Sequence, residues 1–460
     1  MNIAPKSERR YHMNGQQLTR YRPGSMGELW AISWPLVIAS AANMFMVLAD
    51  RVVVSKYSAD AYHALAGATA WWWTIYCTML NIALAADIFV GRYNGMQDHR
   101  KIGPAIWQML WFALIIFPFF IVFSLWMAPH LLAKNLRELG VPYMRIILLI
   151  IPISVAATGA LGSFFTGQGK TRAILLVATC CNIINILLDV LLVFGLGLFP
   201  EMGVTGAGIA TAITQVIEFF MFALLIFRRK NGELYDIFNW KFYGKQFREC
   251  LRIGMPNAID CLINGSLWSI LIQVAAMQVS HEQFSIFCMC HSIFCTLFFF
   301  SEGIGQGVGI ITSNAYGARN WQMIHSNMRS WIRITLLSAI IAFFVLIIYP
   351  SPLISLLRPS NAIISPTILS HMLFLMWACF IAESYAFNLR MSLTAFGDTR
   401  FTLAINCGCC AVFFIIPGYI GLYVCHNILT VGISWACCYT AFSAICFPRL
   451  RQKLEEKRAT

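Results

Sequence analysis

Charged side chains are scarce in this sequence, because aspartate, glutamate, lysine and arginine together make up only 12% of its 460 residues. Hydrophobic residues make up 59%, and the mean hydropathy is +0.69. A soluble protein of this size has too small an interior to bury so much apolar surface. The scarcity of charge therefore excludes a soluble globular protein and indicates a chain that lies largely within a lipid bilayer.

Long apolar stretches separated by short polar breaks are typical of membrane-spanning helices. Lipid offers the backbone no hydrogen-bond partner, so a spanning segment satisfies its own amides as a helix of roughly 20 residues. We therefore predict an all-α integral membrane protein with twelve transmembrane helices. The predicted spans are residues 29–54, 62–89, 104–129, 142–165, 172–196, 205–227, 251–279, 284–312, 331–350, 367–393, 400–424 and 428–447.

One short polar motif occurs in each half of the chain, as TGQGKTR at residues 166–172 and as TAFGDTR at residues 394–400. A second pair, ELWAISWP at residues 28–35 and ECLRIGMP at residues 249–256, supports the same duplication. Such repeats are typical of transporters in which two related bundles enclose one site. We predict two pseudo-symmetric six-helix lobes around a central cavity. The predicted divisions are a cytoplasmic segment at 1–27, lobes at 28–230 and 249–450, a linker at 231–248 and a cytoplasmic tail at 451–460.

Basic residues concentrate on one predicted side of the membrane. If the amino terminus is cytoplasmic, all but six of the 33 lysines and arginines fall in cytoplasmic segments; the exceptions are Arg51, Lys56, Lys134, Arg137, Arg145 and Arg358. This bias predicts that both termini face the cytoplasm of a plasma membrane, the inner membrane in a bacterium. It also attributes the net charge of +13 to topology and to contact with membrane lipid rather than to a nucleic-acid partner. We expect a monomer.

The sequence lacks the residue clusters that metal centres and enzymes need. Its 16 cysteines lie mostly inside predicted spans, and no cysteine pair is matched by a second pair or by histidines at zinc spacing. No clustered histidine and aspartate residues or soluble catalytic loop accompany them. We therefore expect neither a metal, nor a cofactor, nor enzymatic activity, while a channel stays open as an alternative.

A few acidic residues are placed inside the apolar stretches, where a carboxylate costs about 3 kcal/mol to insert. Asp189 follows Asn185 by four residues, so the two side chains share one face of a helix. An amide oxygen and a carboxylate in this arrangement suit a small hard cation or a proton, and Thr211 in the next span could complete the site. A buried hydrogen bond that only joins two helices is the alternative.

Asp50 lies near the end of the first span, on a helix that contains Pro35. Because proline removes one backbone hydrogen bond, we predict a hinge at Pro35 that couples Asp50 to a bend of the helix. We assign mainly structural roles to Asp87, Glu218 and Glu302.

The order of these motifs resembles the multidrug and toxic compound extrusion (MATE) family, over about residues 28–450. The resemblance rests on the Pro35 to Asp50 helix, on YNGMQD at residues 93–98 with its echo YGARN at residues 316–320, and on TGQGKTR. It also rests on NIINILLD at residues 182–189 and on GVTGAGIAT at residues 203–211.

The resemblance implies an antiporter that exports organic, often cationic or amphipathic, molecules in exchange for sodium or protons. Members similar to the archaeal and DinF-like branches have a coupling site that falls here on Asp50, Asn185, Asp189 and Thr211. NorM-like members use acids in the second lobe, which implies a coupling or substrate role for Glu383 and, one turn from the expected position at Asn264, for Asp260. A flippase of lipid-linked oligosaccharides from the same superfamily is the alternative function, although it typically has more spans.

Overall fold

The computed structural model describes residues 18–132, 136–197, 199–351, 354 and 365–459, so the predictions for Lys134, Arg358 and most of the amino-terminal segment lie outside the described residues. Within these ranges the chain is helical, and twelve helices are long and apolar enough to cross a membrane. We number them α1 to α12. They are Met26–Tyr57, Asp60–Gly95, His99–Leu131, Arg137–Thr166, Thr171–Phe194, Gly203–Ile226, Gly244–Gln278, His281–Gly317, Trp321–Ile348, Pro366–Phe396, Thr399–Tyr423 and Leu429–Glu456.

Several helices extend beyond the predicted spans. Helix α7 begins at Gly244 rather than at residue 251, and α12 continues past residue 447 through the polar sequence RLRQKLEE. Hydropathy detects only the part of a helix that needs an apolar solvent, whereas the backbone hydrogen bonds continue wherever the sequence tolerates a helix. The number of spans was therefore predicted more accurately than their ends.

The two copies of the repeated motif have the same backbone geometry. Gly169 and Gly397 both adopt the left-handed conformation, with φ of +72° and +80°. In each copy the glycine amide donates to the carbonyl of the threonine that begins the motif, at 2.8 Å. The next amide donates to the carbonyl five residues back, at 2.8 Å in the first copy and 3.1 Å in the second. Each copy is thus a glycine-capped helix end, which stops one spanning helix and lets the next begin within two residues.

One compact unit, unit 1, consists of the described residues within 38–262 together with residues 317–319. Its central helix α4 packs against α2, α3 and α6, and α5 packs against α6. Helix α4 widens into a π-helical turn at Val155–Leu161, directly after Pro152. In such a turn the backbone amides bond five residues back rather than four, which locally widens the helix.

The other compact unit, unit 2, consists of residues 18–37, 263–316 and the described residues from 320 onward. Helix α10 packs against α9 and α12, and α11 packs against α12. Two further π-helical turns occur here, at Phe344–Ile348 in α9 and at Cys410–Ile415 in α11. The second one precedes Pro417, whose missing N–H would have bonded to the carbonyl of Phe413 within that turn.

Helices α1 and α7 each contribute residues to both units. In α1 the assignment changes after Val37, two residues beyond Pro35, and in α7 it changes after Leu262, six residues beyond Pro256. Both helices are continuous through their prolines. The compact units are divided within these two helices rather than at the linker, so they do not test the lobes at 28–230 and 249–450. That division stays a prediction.

Close glycine contacts hold the amino-terminal part of α1 in unit 2 and the amino-terminal part of α7 in unit 1. In unit 2, a Cβ added to Gly303 of α8 would lie 2.7 Å from the backbone nitrogen of Val37 in α1. In unit 1, a Cβ added to Gly254 of α7 would lie 2.6 Å from the carbonyl oxygen of Ile82 in α2. Any larger residue would push these helices apart, so each contact depends on glycine.

Candidate functional site

Two carboxyl groups lie side by side inside unit 1. Asp50 is on the part of α1 that follows Pro35, and Asp189 is on α5. The two side chains are direct neighbours, and Asp189 is fully buried. The structure thus brings together two acids that the sequence had placed on different helices. Two carboxylates so close together in an apolar setting repel each other strongly unless a proton or a cation lies between them.

The polar atoms around this pair have few protein partners. Both carboxylate oxygens of Asp189, Oδ1 of Asp50 and both side-chain amide atoms of Asn185 are buried, and none makes a hydrogen bond among the described residues. Asn185 is fully buried one turn before Asp189, as the spacing predicted. Four of these five atoms are oxygen acceptors. An acceptor-rich, donor-poor pocket is chemically suited to a proton or a small hard cation such as sodium.

A second polar contact joins the same two helices. The Nδ2 of Asn182 on α5 donates to the Oδ1 of Asn43 on α1, at 3.1 Å. Asn43 precedes Asp50 by seven residues, and Asn182 precedes Asp189 by the same number. Seven residues are close to two helical turns. The asparagine pair and the carboxyl pair therefore lie two turns apart along the same contact between α1 and α5. This asparagine pair was not predicted from the sequence, although its spacing equals that of the two acids.

Tyr143 of α4 lies near the carboxyl pair, whereas Thr211 of α6, which we predicted to complete the site, bonds within its own helix. Thr211 is buried as predicted, but its hydroxyl donates to the Ala207 carbonyl of its own helix at 3.1 Å, so its place in the site stays a prediction. Tyr143, which sequence reasoning missed, is buried and lies within electrostatic range of both acids. Its ring packs against Gly208, where an added Cβ would lie 3.0 Å away. Gly208, the third glycine of GVTGAGIAT, therefore leaves room for the tyrosine ring.

Two other acids of unit 1, Glu218 and Asp87, have protein partners. The hydroxyl of Thr158 donates to Glu218 at 3.0 Å, and it comes from the π-helical turn of α4. The hydroxyl of Thr166, which begins TGQGKTR, donates to Asp87. The structural roles that we assigned to both acids stay a prediction.

In unit 2, Glu383 of α10 lies at the edge of an aromatic cluster. Nε1 of Trp435 donates to its Oε2 at 2.9 Å. The Trp435 ring in turn lies 4.6 Å from that of Trp268 and 4.5 Å from that of Phe294, measured between ring centroids. A carboxylate beside several aromatic faces is suited to an organic cation, since both attract positive charge. His291 belongs to the same cluster, with its ring centroid 5.1 Å from that of Trp268.

Asn264 and Asp260 lie on α7 but in different units. Oδ1 of Asn264 accepts from Nδ2 of Asn406 at 3.2 Å and from the thiol of Cys410 at 3.3 Å, within unit 2. Asn406 also accepts from Arg390, at 3.2 Å. Asp260 is buried and belongs to unit 1, whereas Glu383 belongs to unit 2. The coupling or substrate role of these two acids stays a prediction.

Comparison with known proteins agrees with this architecture. A family model described as MatE matches residues 35–191 and 261–420. The probable multidrug resistance protein NorM of Thermotoga maritima is 22% identical over 348 residues, which cover 73% of each chain. The matched parts of the family model include Asp50, Asn185 and Asp189 in one half and Glu383 in the other.

Solved structures share the fold. A crystal structure of MATE in the bent conformation has a TM-score of 0.85 at 18% identity, covering 97% of this chain and 99% of that one. A transporter of the MOP superfamily from Pyrococcus furiosus has a TM-score of 0.83 at 18% identity, with the same coverage. The predicted all-α membrane protein with twelve transmembrane helices is thereby confirmed.

Proposed function

The chain belongs to the MatE family of multi-pass membrane proteins, and on that premise we propose that it is a secondary active antiporter that exports organic compounds in exchange for protons or sodium. Its relative from Thermotoga maritima carries the name of a multidrug resistance protein. Membership of this family also confirms the prediction that the chain is not an enzyme.

The observation that carries the proposal is the carboxyl pair of Asp50 and Asp189. Its buried oxygens have no hydrogen-bond donor among the described residues, and Asn185 adds one more oxygen acceptor. Placing such a pair in a membrane costs free energy, so acids that are retained there usually have a functional role. Uptake and release of one cation per transport cycle is the function that best accounts for this cost.

Helix α1 supplies the mechanical link in the proposed cycle. Asp50 lies on the part of α1 that packs in unit 1, while residues 26–37 of the same helix pack in unit 2. Cation uptake by the pair removes the repulsion between Asp50 and Asp189 and so favours a closer packing of α1 on α5. Because Pro35 lies two residues before the point where α1 passes from unit 2 to unit 1, this change bends α1 near that point and switches the protein between its inward-open and outward-open states. Both termini face the cytoplasm in this scheme.

Organic cations and amphipathic molecules are the proposed substrates. The support is the aromatic cluster of Trp268, Phe294 and Trp435 beside Glu383, because aromatic faces and a carboxylate together favour positive charge on an apolar body. Export of lipid-linked oligosaccharides, the alternative, has no such specific support.

The proposal is tested by transport in proteoliposomes. The purified protein is reconstituted, a sodium or a pH gradient is imposed, and accumulation of ethidium, a fluorescent organic cation, is followed with each gradient alone and with both collapsed. Accumulation driven by one of the gradients is the expected result, and the effective gradient identifies the coupling ion. Equal movement with and without gradients would contradict antiport, and flux at single-channel rates would show a channel. Translocation of a labelled lipid-linked sugar without ethidium transport would favour the flippase.

A further inference from the structure

The segment that joins α6 to α7 is fixed against α3 in a defined geometry. After the short helix Arg229–Tyr235 the chain runs without regular structure through residues 236–243, which we call the aromatic strap. Three side chains of α3 bond to its backbone, in addition to two short-range backbone bonds within the strap, from Asn239 to Asp236 and from Trp240 to Phe238. The bonds with α3 are Trp107 Nε1 to the Ile237 carbonyl (2.6 Å), Trp111 Nε1 to the Trp240 carbonyl (2.9 Å), Gln108 Nε2 to the Lys241 carbonyl (3.2 Å) and the Tyr243 amide to Gln108 Oε1 (3.0 Å).

This attachment directs large aromatic side chains outward. Phe238, Trp240 and Phe242 are 57%, 63% and 52% exposed, respectively, and they alternate along the strap. Because the α3 side chains bond to the backbone, they fix the strap without covering these rings. Three exposed aromatic rings on a short segment of a membrane protein are typical of the layer between hydrocarbon and water.

The position of the strap on α3 places it in that layer. Trp111 is followed one turn later by Leu114 and Ile115, which are 58% and 55% exposed and begin the lipid-facing side of α3. The Trp111 and Trp240 rings lie 6.3 Å apart. The strap therefore lies where the apolar face of α3 gives way to the polar linker, at headgroup depth.

Positive charge surrounds the exposed rings. Lys241 lies within the strap and is exposed, as are Lys245 and Arg248 on the first turns of α7. Arg228, Arg229 and Lys230 precede the strap, while the acids of residues 228–248 are only Glu233 and Asp236. Glu233 already pairs with Arg229, and Asp236 accepts from Asn239. The surface thus combines exposed aromatic rings with a surplus of positive charge.

We propose that the aromatic strap is a recognition surface for anionic phospholipid headgroups. Trp240 and its neighbours enter the interface, and Lys241 and Lys245 contact the lipid phosphates. A basic side chain near an anionic membrane surface contributes about fivefold in affinity, and aromatic rings add binding that does not depend on headgroup charge. The two contributions predict different effects for basic and aromatic substitutions.

The test uses the full-length protein reconstituted with phosphatidylcholine alone or with phosphatidylglycerol added, and native mass spectrometry counts the retained lipids. Three proteins are compared with wild type: the double variant Lys241→Gln/Lys245→Gln, the variant Trp240→Ala, and the charge-matched control Arg172→Gln/Arg400→Gln. The control removes two basic side chains that are also exposed but lie outside the strap. Circular dichroism and thermal unfolding in detergent verify that all four proteins fold.

We expect wild type and the control to retain phosphatidylglycerol in preference to phosphatidylcholine. The lysine variant should lose that preference, by about fivefold for each charge removed, and Trp240→Ala should retain less of both lipids. Equal losses in the control would show a general effect of net charge and would overturn the proposal, as would wild-type retention by the lysine variant. Displacement of the lipid by soluble glycerol phosphate would show a site for free anions and would also overturn it.

Discussion

Replacing Asp189 with asparagine tests the candidate coupling site most directly. The substitution keeps the size of the side chain and adds a hydrogen-bond donor, but it removes one of the two neighbouring carboxyl groups. Asp50 then faces an amide, and Asn185 loses the acidic partner one turn away on its own helix. The pocket keeps its shape, while its demand for a neutralising cation falls.

The size of the effect follows from the repulsion between the two acids. Two unit charges within hydrogen-bonding range repel by about 4 kcal/mol at an effective dielectric constant of about 20. This energy corresponds to about a thousandfold bias toward the state in which the pair holds a proton or a cation. Without the second carboxyl group, the bias that links cation uptake to the packing of α1 on α5 disappears. We therefore expect gradient-driven efflux by Asp189→Asn to fall by two to three orders of magnitude, to the level of empty vesicles.

The assay is ethidium transport in proteoliposomes under the gradient that drives the wild type. Asp60→Asn is a matched control, because Asp60 is an exposed acid in the first turn of α2. Size-exclusion chromatography in detergent checks folding and membrane extraction for each variant. Wild-type transport by a folded Asp189→Asn protein would remove Asp189 from the coupling site and with it the proposed role of the pair.

Three further substitutions test the packing around the sites by thermal unfolding in detergent. Asn43→Ala should cost about 1 kcal/mol, and a double-mutant cycle with Asn182→Ala should return a coupling energy of similar size; additive losses would argue against the bond. Gly303→Ala should destabilise by about 1 to 3 kcal/mol because its Cβ meets the α1 backbone, whereas Gly408→Ala, with nothing within 4 Å, should change stability by less than about 1 kcal/mol. Equal losses in both would refute the close contact. Trp435→Phe should cost about 1 to 3 kcal/mol, since a half-buried carboxyl group in α10 loses its indole donor; an unchanged melting temperature would contradict that role.

Some of the candidate site was predictable because its signals are local. Asn185 and Asp189 share a helix face, and four residues of sequence suffice to show this. Thr211 was proposed from its place in the next span and Asp50 from the proline in its helix, and the resemblance to a known family then grouped Asp50 with the residues of α5, to which no local pattern connects it. The asparagine pair of α1 and α5 was missed because hydrogen bonds between distant segments leave no local pattern, even though its spacing matched that of the acids.

The sequence by itself determined the membrane class, the number of spanning helices and the duplicated helix ends at Gly169 and Gly397. These features depend on hydrocarbon transfer and on backbone conformation, which act over a few neighbouring residues. Only the tertiary structure decided that Asp50 meets Asp189, that Tyr143 packs on Gly208, and that α1 and α7 each contribute to two compact units. The physical reason is that helix pairing depends on the fit of side chains far apart in the chain, such as a glycine that admits a neighbouring backbone.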